Sequence, residues 1–132
     1  MLTIEISHSM DQVLMDMQRA YMLELYHEPL HAGSLKEKTG SATSHNQSCG
    51  DIVQMDVLVA SGVLQNAAHS GHGCAISKAA TSLVLDEYIG KQVEDLQQIT
   101  FETVKELLGI PISHTRHKCA MIGVKALKQA IQ

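Results

Sequence analysis

Between residues 51 and 70 the chain carries two apolar stretches joined by nothing more than Ser61-Gly62. Successive side chains of a strand point to opposite faces, so Val53, Met55, Val57 and Val59 fall on one side and Ile52, Gln54, Asp56 and Leu58 on the other. The two-residue link predicts a hairpin turn into a second strand over residues 63–70. Beyond Cys74 the periodicity becomes helical. A few strands followed by several helices, with no strand–helix–strand alternation, define an α+β fold and argue against a doubly wound sheet.

The rest of the chain fills in around that hairpin. Leu14, Met17, Tyr21 and Leu25 recur at helical spacing and predict a helix over residues 9–26, with Ser9 or Asp11 as its cap. Its apolar stripe calls for a partner surface. Glu28-Pro29 stops the helix, because the residue before proline is pushed out of the helical region. Residues 29–50 are polar, with Gly33, Gly40 and a run of Ser, Thr, His and Asn, and read as loop plus at most one edge strand. Ile76, Ala79, Ala80, Leu83 and Val84 form a broad helical face that ends at Gly90 and packs on the sheet. Another helix runs near residues 100–108 until Gly109-Ile110-Pro111 breaks it. In a last helix, over residues 116–131, Cys119, Ile122, Ala126, Leu127 and Ala130 share a side. With no internal repeat, residues 1–132 read as a single domain, large enough to bury about two thirds of its unfolded surface.

Composition excludes some functions. A formal net charge of -4 gives no basic footprint, and three Tyr with one Phe give no stacking platform, so nucleic acid is not an expected partner. No apolar run is long enough to span a bilayer, and the opening MLTIEISHSMDQ lacks the basic region of a signal peptide. The expectation is a soluble cytoplasmic protein without membrane association. Met10, Met15, Met17 and Met22 read as core filler or helix surface.

The chemistry lies in three cysteines, Cys49 in SCGD, Cys74 in GHGCAIS and Cys119 in RHKCAMI, with Asp51 two residues after the first. An odd number cannot pair off into disulfides, so reduced thiols are the natural state. Cys74 opens one predicted helix and Cys119 lies in the first turn of another; a helix N-terminus offers positive potential and amide donors, both of which favour thiolate. Gly50-Asp51 after Cys49 reads as a tight turn into a strand, which would let the backbone approach a metal closely and swing the Asp51 carboxylate toward it. Separations of 25 and 45 residues are too long for a zinc knuckle, so only tertiary structure can gather these groups. A lone cysteine is usually a small core residue. Three in such settings with one aspartate instead compose a metal or cluster donor set. His114 and His117 lie close by, but a single histidine at a helix start usually faces solvent; Arg116 and Lys118 place cations beside Cys119.

At these residues the chain resembles the U-type iron–sulfur cluster assembly proteins, the family that includes IscU, SufU and the N-terminal domain of NifU. Residues 25–33, LYHEPLHAG, are similar to the family's HY-x-NPRN-x-G segment; Cys49-Gly50-Asp51 to its CGD; residues 73–77, GCAIS, to its second cysteine motif; Gly90-Lys91 to its GK; and Lys118-Cys119-Ala120 to its third cysteine motif. The resemblance implies a SufE/NifU-like α+β fold, with about three strands packed against several helices. It further implies that Cys49, Asp51, Cys74 and Cys119 meet at one exposed end. There they would hold a transient [2Fe–2S] cluster, or Zn2+ as the alternative occupant, with Cys119 a possible sulfur acceptor. The implied partners are a cysteine desulfurase that supplies persulfide sulfur and apo iron–sulfur proteins that receive the cluster. The implied role is a scaffold rather than an enzyme, with a zinc-dependent sulfurtransferase of SufU type as the alternative. Lys118 occupies the place of the metal-binding histidine of IscU-type proteins, and Arg116 with the KCA wording is more like SufU. The 45-residue interval between Cys74 and Cys119, however, leaves no room for the SufU insertion. The LPPVK segment read by a dedicated chaperone is reduced here to residues 108–113, LGIPIS, and that chaperone is not an expected partner.

Overall fold

A computed structural model describes residues 2–48 and 50–132, with side chains from residue 10 onward. Helix α1 (Leu2–His27) precedes strands β1 (Gly40–Asn46), β2 (Asp51–Ala60) and β3 (Val63–His72). Helices α2 (Ala75–Tyr88), α3 (Val93–Leu96) and α4 (Phe101–Leu108) follow, then a 3-10 turn (His114–Arg116) and α5 (His117–Ala130). The strands form one antiparallel sheet in the order β1-β2-β3, and the fold is α+β.

The hairpin forms where its residues demand it. Ser61 and Gly62 have φ of 56° and 74°, the left-handed pair that a tight turn between twisted strands requires. Val53, Met55 and Val57 of β2 are buried beneath α5 and join Leu64, Val84, Leu85, Val104, Val124 and Leu127 in the core. Each such side chain contributes about 1.5–3 kcal/mol by leaving water. Gly123 sets how closely α5 approaches α2: a Cβ there would lie 2.2 Å from Thr81 Oγ1. The segment before α4 is fixed by Thr100, whose hydroxyl takes the Thr103 N–H while the Thr103 hydroxyl takes the Thr100 N–H; Gly109, at φ 69°, ends the helix.

Two details depart from the sequence reading. α1 starts well before residue 9, so Ser9 and Asp11 fall inside it rather than at its cap. Its packed side is Met22 and Leu25, whereas Leu14, Met17 and Tyr21 of the expected stripe are exposed. A helix with apolar residues all round supports several stripes, and the sequence does not rank them. Asp56 lies on the face of β2 opposite Val53, Met55 and Val57, as alternation expects, yet is only 2% exposed. It accepts hydrogen bonds from the Leu35 N–H at 3.1 Å and the Ser41 hydroxyl at 2.7 Å and faces Lys38 at 3.5 Å. Burial pushes its pKa up, but Ser41, Leu35, Gln54 and Lys38 outweigh that and hold it below the ordinary value.

The outer edge of β3 is closed by residues 31–33: the His69 N–H donates to the His31 carbonyl and the Gly33 N–H to the His69 carbonyl. The His69 ring is buried, with Nε2 at 2.8 Å from the Leu30 carbonyl. Burial lowers its pKa below the ordinary 6.5, aided by His31 and Lys78 and opposed by the Leu30 bond. A depressed folded pKa means that the unfolded chain takes up the proton first. The stability held by neutral His69 is therefore complete above about pH 6.5 and is lost as the pH falls toward the folded value. Urea denaturation should show a lower midpoint at about pH 5.5 than at about pH 7.5, and His69→Gln should narrow that difference. Among the described residues, no helix is long and apolar enough to cross a membrane.

Candidate metal centre

The ends of three elements converge on one point. Asp51 opens β2, Cys74 is the residue at the mouth of α2, and Cys119 lies in the first turn of α5. β-pairing brings the first two together. Ile52 sits opposite His72, so the chain leaving β3 through Gly73 passes beside Asp51. The Cys74 N–H then donates to Asp51 Oδ1 at 3.2 Å, and the Cys74 carbonyl accepts from the Ser77 hydroxyl at 2.9 Å. Packing of α5 across β1 and β2 brings in Cys119.

The donor atoms of Asp51, Cys74 and Cys119 all lie within 4.8 Å of one another. Two thiolates on one tetrahedral ion, each at about 2.3 Å, stand about 3.8 Å apart, so only a small closing movement seats a metal. Cys49 lies outside the described residues. Asp51 and Cys119 are buried, at 2% and 1% exposure, and Cys74 is half-buried. The sequence reading expected an exposed end; the structure instead sinks these two donors. Cys119 is among the residues lining a surface depression, with Asn46, Ser48, His114, Thr115, Arg116 and Lys118.

The flanking residues sort themselves. His117 stacks its ring on Phe101, centroids 4.0 Å apart and planes 12° from parallel, and is not among the converging donors. Arg116 and Lys118 are exposed at the start of α5. Asn46, which sequence reasoning passed over, points Nδ2 at Cys119 Sγ across 3.8 Å and is itself buried. Its signal was positional: it ends β1 directly opposite Asp51.

Gly73 makes the carboxylate–amide contact possible. A Cβ there would stand 2.1 Å from Ser77 Oγ and 3.4 Å from Asp51 Oδ1. Gly73→Ala must therefore move the loop that presents Cys74. The expected result is folded protein with Zn2+ affinity reduced roughly 10–100-fold, the usual cost of disturbing a ligand's support. Competition titration with a chromophoric chelator measures it, and parental affinity would mean that Ser77 yields instead.

The three-stranded α+β fold is shared with known proteins. Residues 17–132 match the model of the NifU-like N terminal domain, and the chain belongs to that family. Over 116 residues it is 31% identical to the iron-sulfur cluster assembly scaffold protein IscU of Thermotoga maritima, covering 76% of this chain and 82% of that one. The protein of the same name from Escherichia coli strain K12 is 27% identical over 114 residues, covering 83% and 88%. Among solved structures, a candidate SUF-system cluster assembly scaffold from Fervidobacterium islandicum AW-1 superposes with a TM-score of 0.71 at 21% identity, covering 85% of this chain and 94% of that one.

Proposed function

We propose that the chain is an iron–sulfur cluster assembly scaffold, which builds a cluster on Cys49, Asp51, Cys74 and Cys119 from desulfurase-derived sulfur and passes it to apo-proteins. The observation that carries this reading is the convergence of Asp51, Cys74 and Cys119 within 4.8 Å at the ends of three different elements. The named relatives support it. Thiolates suit cluster iron, whereas a carboxylate is a harder and more weakly held ligand for it. A donor set that must release its cargo benefits from one weak member. Asp51 supplies that member, and the depression lined by Cys119 is the nearest opening to the donor cysteine at the start of α5.

A second reading is favoured by one observation: Lys118, not a histidine, directly precedes Cys119. In that reading Zn2+ occupies the site and Cys119 is the sulfur acceptor. Its thiolate attacks the outer sulfur of a desulfurase persulfide; the S–S bond breaks, the desulfurase thiolate leaves, and Cys119 carries the persulfide. No electrons are consumed until that sulfur is reduced by an external donor. Anaerobic incubation with iron, cysteine, a reductant and a cysteine desulfurase separates the two. Iron and acid-labile sulfide with visible absorption support the scaffold. Tight zinc, no coloured species and faster desulfurase turnover support transfer and would overturn the scaffold reading.

A further inference from the structure

Cys74 and Cys119 are distant along the chain, yet their sulfurs lie within 4.8 Å of each other. A disulfide bond is about 2.05 Å long, so the two have to approach by less than about 3 Å to join. Cys74 is an extended residue just ahead of α2, and its side chain makes no capping hydrogen bond. Its backbone is pinned on both sides, the N–H on Asp51 Oδ1 at 3.2 Å and the carbonyl on the Ser77 hydroxyl at 2.9 Å. The torsion about its Cα–Cβ bond remains, and one step between staggered positions carries a sulfur about 3 Å. Cys119 is fixed in the first turn of α5, with the Asn46 Nδ2–H pointing at its sulfur across 3.8 Å. The pair also differs in access. Cys119 is 1% exposed and Cys74 half-buried. A dissolved thiol meets a sulfur on Cys119 poorly, whereas Cys74 faces it from inside the protein, and a group held in that way reacts as if at a concentration no free solute reaches.

We propose that Cys74 and Cys119 are a resolving pair: persulfide sulfur carried by either one is expelled as hydrosulfide when the other attacks its inner sulfur. This rests on the reading that desulfurase sulfur reaches the site. The thiolate of one cysteine forms a bond to Sγ of the other; the bond from that Sγ to the outer sulfur breaks, and the outer sulfur leaves as HS⁻ with the electron pair. Relative to two thiols and sulfane sulfur, the pair gives up two electrons and the sulfur takes both. Attack on the outer sulfur would expel a cysteine thiolate and merely pass the persulfide across. Attack on the inner one expels hydrosulfide, the base of a stronger acid and the faster leaving group. Each expulsion leaves a Cys74–Cys119 disulfide. An external dithiol must exchange with it, ending as its own cyclic disulfide, before the pair acts again or holds metal. Electrons from outside thus enter at the disulfide rather than at the persulfide, and without them each chain releases about one sulfide and stops.

The test mixes the full chain, reduced, metal-free and freed of reductant, with an equimolar cysteine desulfurase that has been loaded with persulfide and desalted. The reaction is anaerobic, contains EDTA and is quenched at intervals with N-ethylmaleimide. Peptide mass spectrometry should find an added sulfur on Cys119 or Cys74 early, then a Cys74–Cys119 disulfide rising in step with free sulfide. Cys74→Ser should leave the added sulfur on Cys119, and Cys119→Ser should leave it on Cys74, each cutting sulfide release at least about tenfold with circular dichroism retained. The stoichiometry of the parent chain decides the matter even where a variant fails to fold. Separately, equimolar diamide, which joins neighbouring thiols without any desulfurase, should link Cys74 to Cys119. A persulfide that persists on the parent, sulfide released without the disulfide, or a disulfide made through Cys49 overturns the proposal and leaves the sulfur-acceptor reading standing. Failure of diamide to link the pair overturns it on geometry alone. If diamide links the pair but no added sulfur ever appears on the chain, the acceptor reading fails and the proposal falls with it.

Discussion

Asp51→Ala should lengthen the life of a reconstituted cluster about tenfold, equivalent to about 1.4 kcal/mol in the release barrier. Among the described residues of the proposed centre the carboxylate is the one oxygen donor beside two cysteine sulfurs, and cluster iron would hold it least well. Decay of visible absorption under chelator challenge measures the effect. The substitution also removes the acceptor of the Cys74 N–H, at a stability cost of about 1–3 kcal/mol. Urea denaturation of the unloaded protein measures that cost separately. A cluster lost at the parental rate, or faster, would show that Asp51 does not make the site labile.

The second large effect belongs to Cys119. Replacing it with serine should lower Zn2+ affinity by more than about 100-fold and abolish a stable cluster, because a hydroxyl stays protonated where a thiolate ligates. The fold should survive. Serine is close to cysteine in size, and the Asn46 Nδ2–H that now points at the sulfur would face the hydroxyl oxygen as a donor. Metal titration, with thermal unfolding as the control for folding, decides it. A variant that binds metal like the parent would place the centre elsewhere.

Legibility in the sequence followed how local the cause was. Ser61-Gly62, Thr100 with Gly109, and the alternation through Val53, Met55 and Val57 are decided within a few residues, and the structure places turn, helix and buried face where those residues ask. β1 was only half legible, since GSATSHN has no apolar face; it forms because β2 offers a free edge and Gly40 lets the chain pass under Ala130, whose carbonyl stands 2.0 Å from where a Cβ would be. α3 is a single turn, too short to show a period. The burial of Asp56 was not legible, because it is made by Leu35, Lys38 and Ser41 folding over it, a contact between segments that periodicity does not report. The site divides in the same way. Motif wording singled out Asp51, Cys74 and Cys119, and Asn46 stayed hidden because its role exists only once β1 and β2 are paired.

Gathering the candidate donors from the beginnings of β2, α2 and α5 would make any bound cargo a mechanical part of the molecule. A bound ion ties together stretches that are far apart along the backbone, and it dissolves when any one of them comes loose. A filled site should hold the chain shut by about 4 kcal/mol when free ligand exceeds its dissociation constant a thousandfold. On the proposed function the melting temperature would gauge loading, and delivery to a recipient would leave behind a looser carrier than the one that arrived.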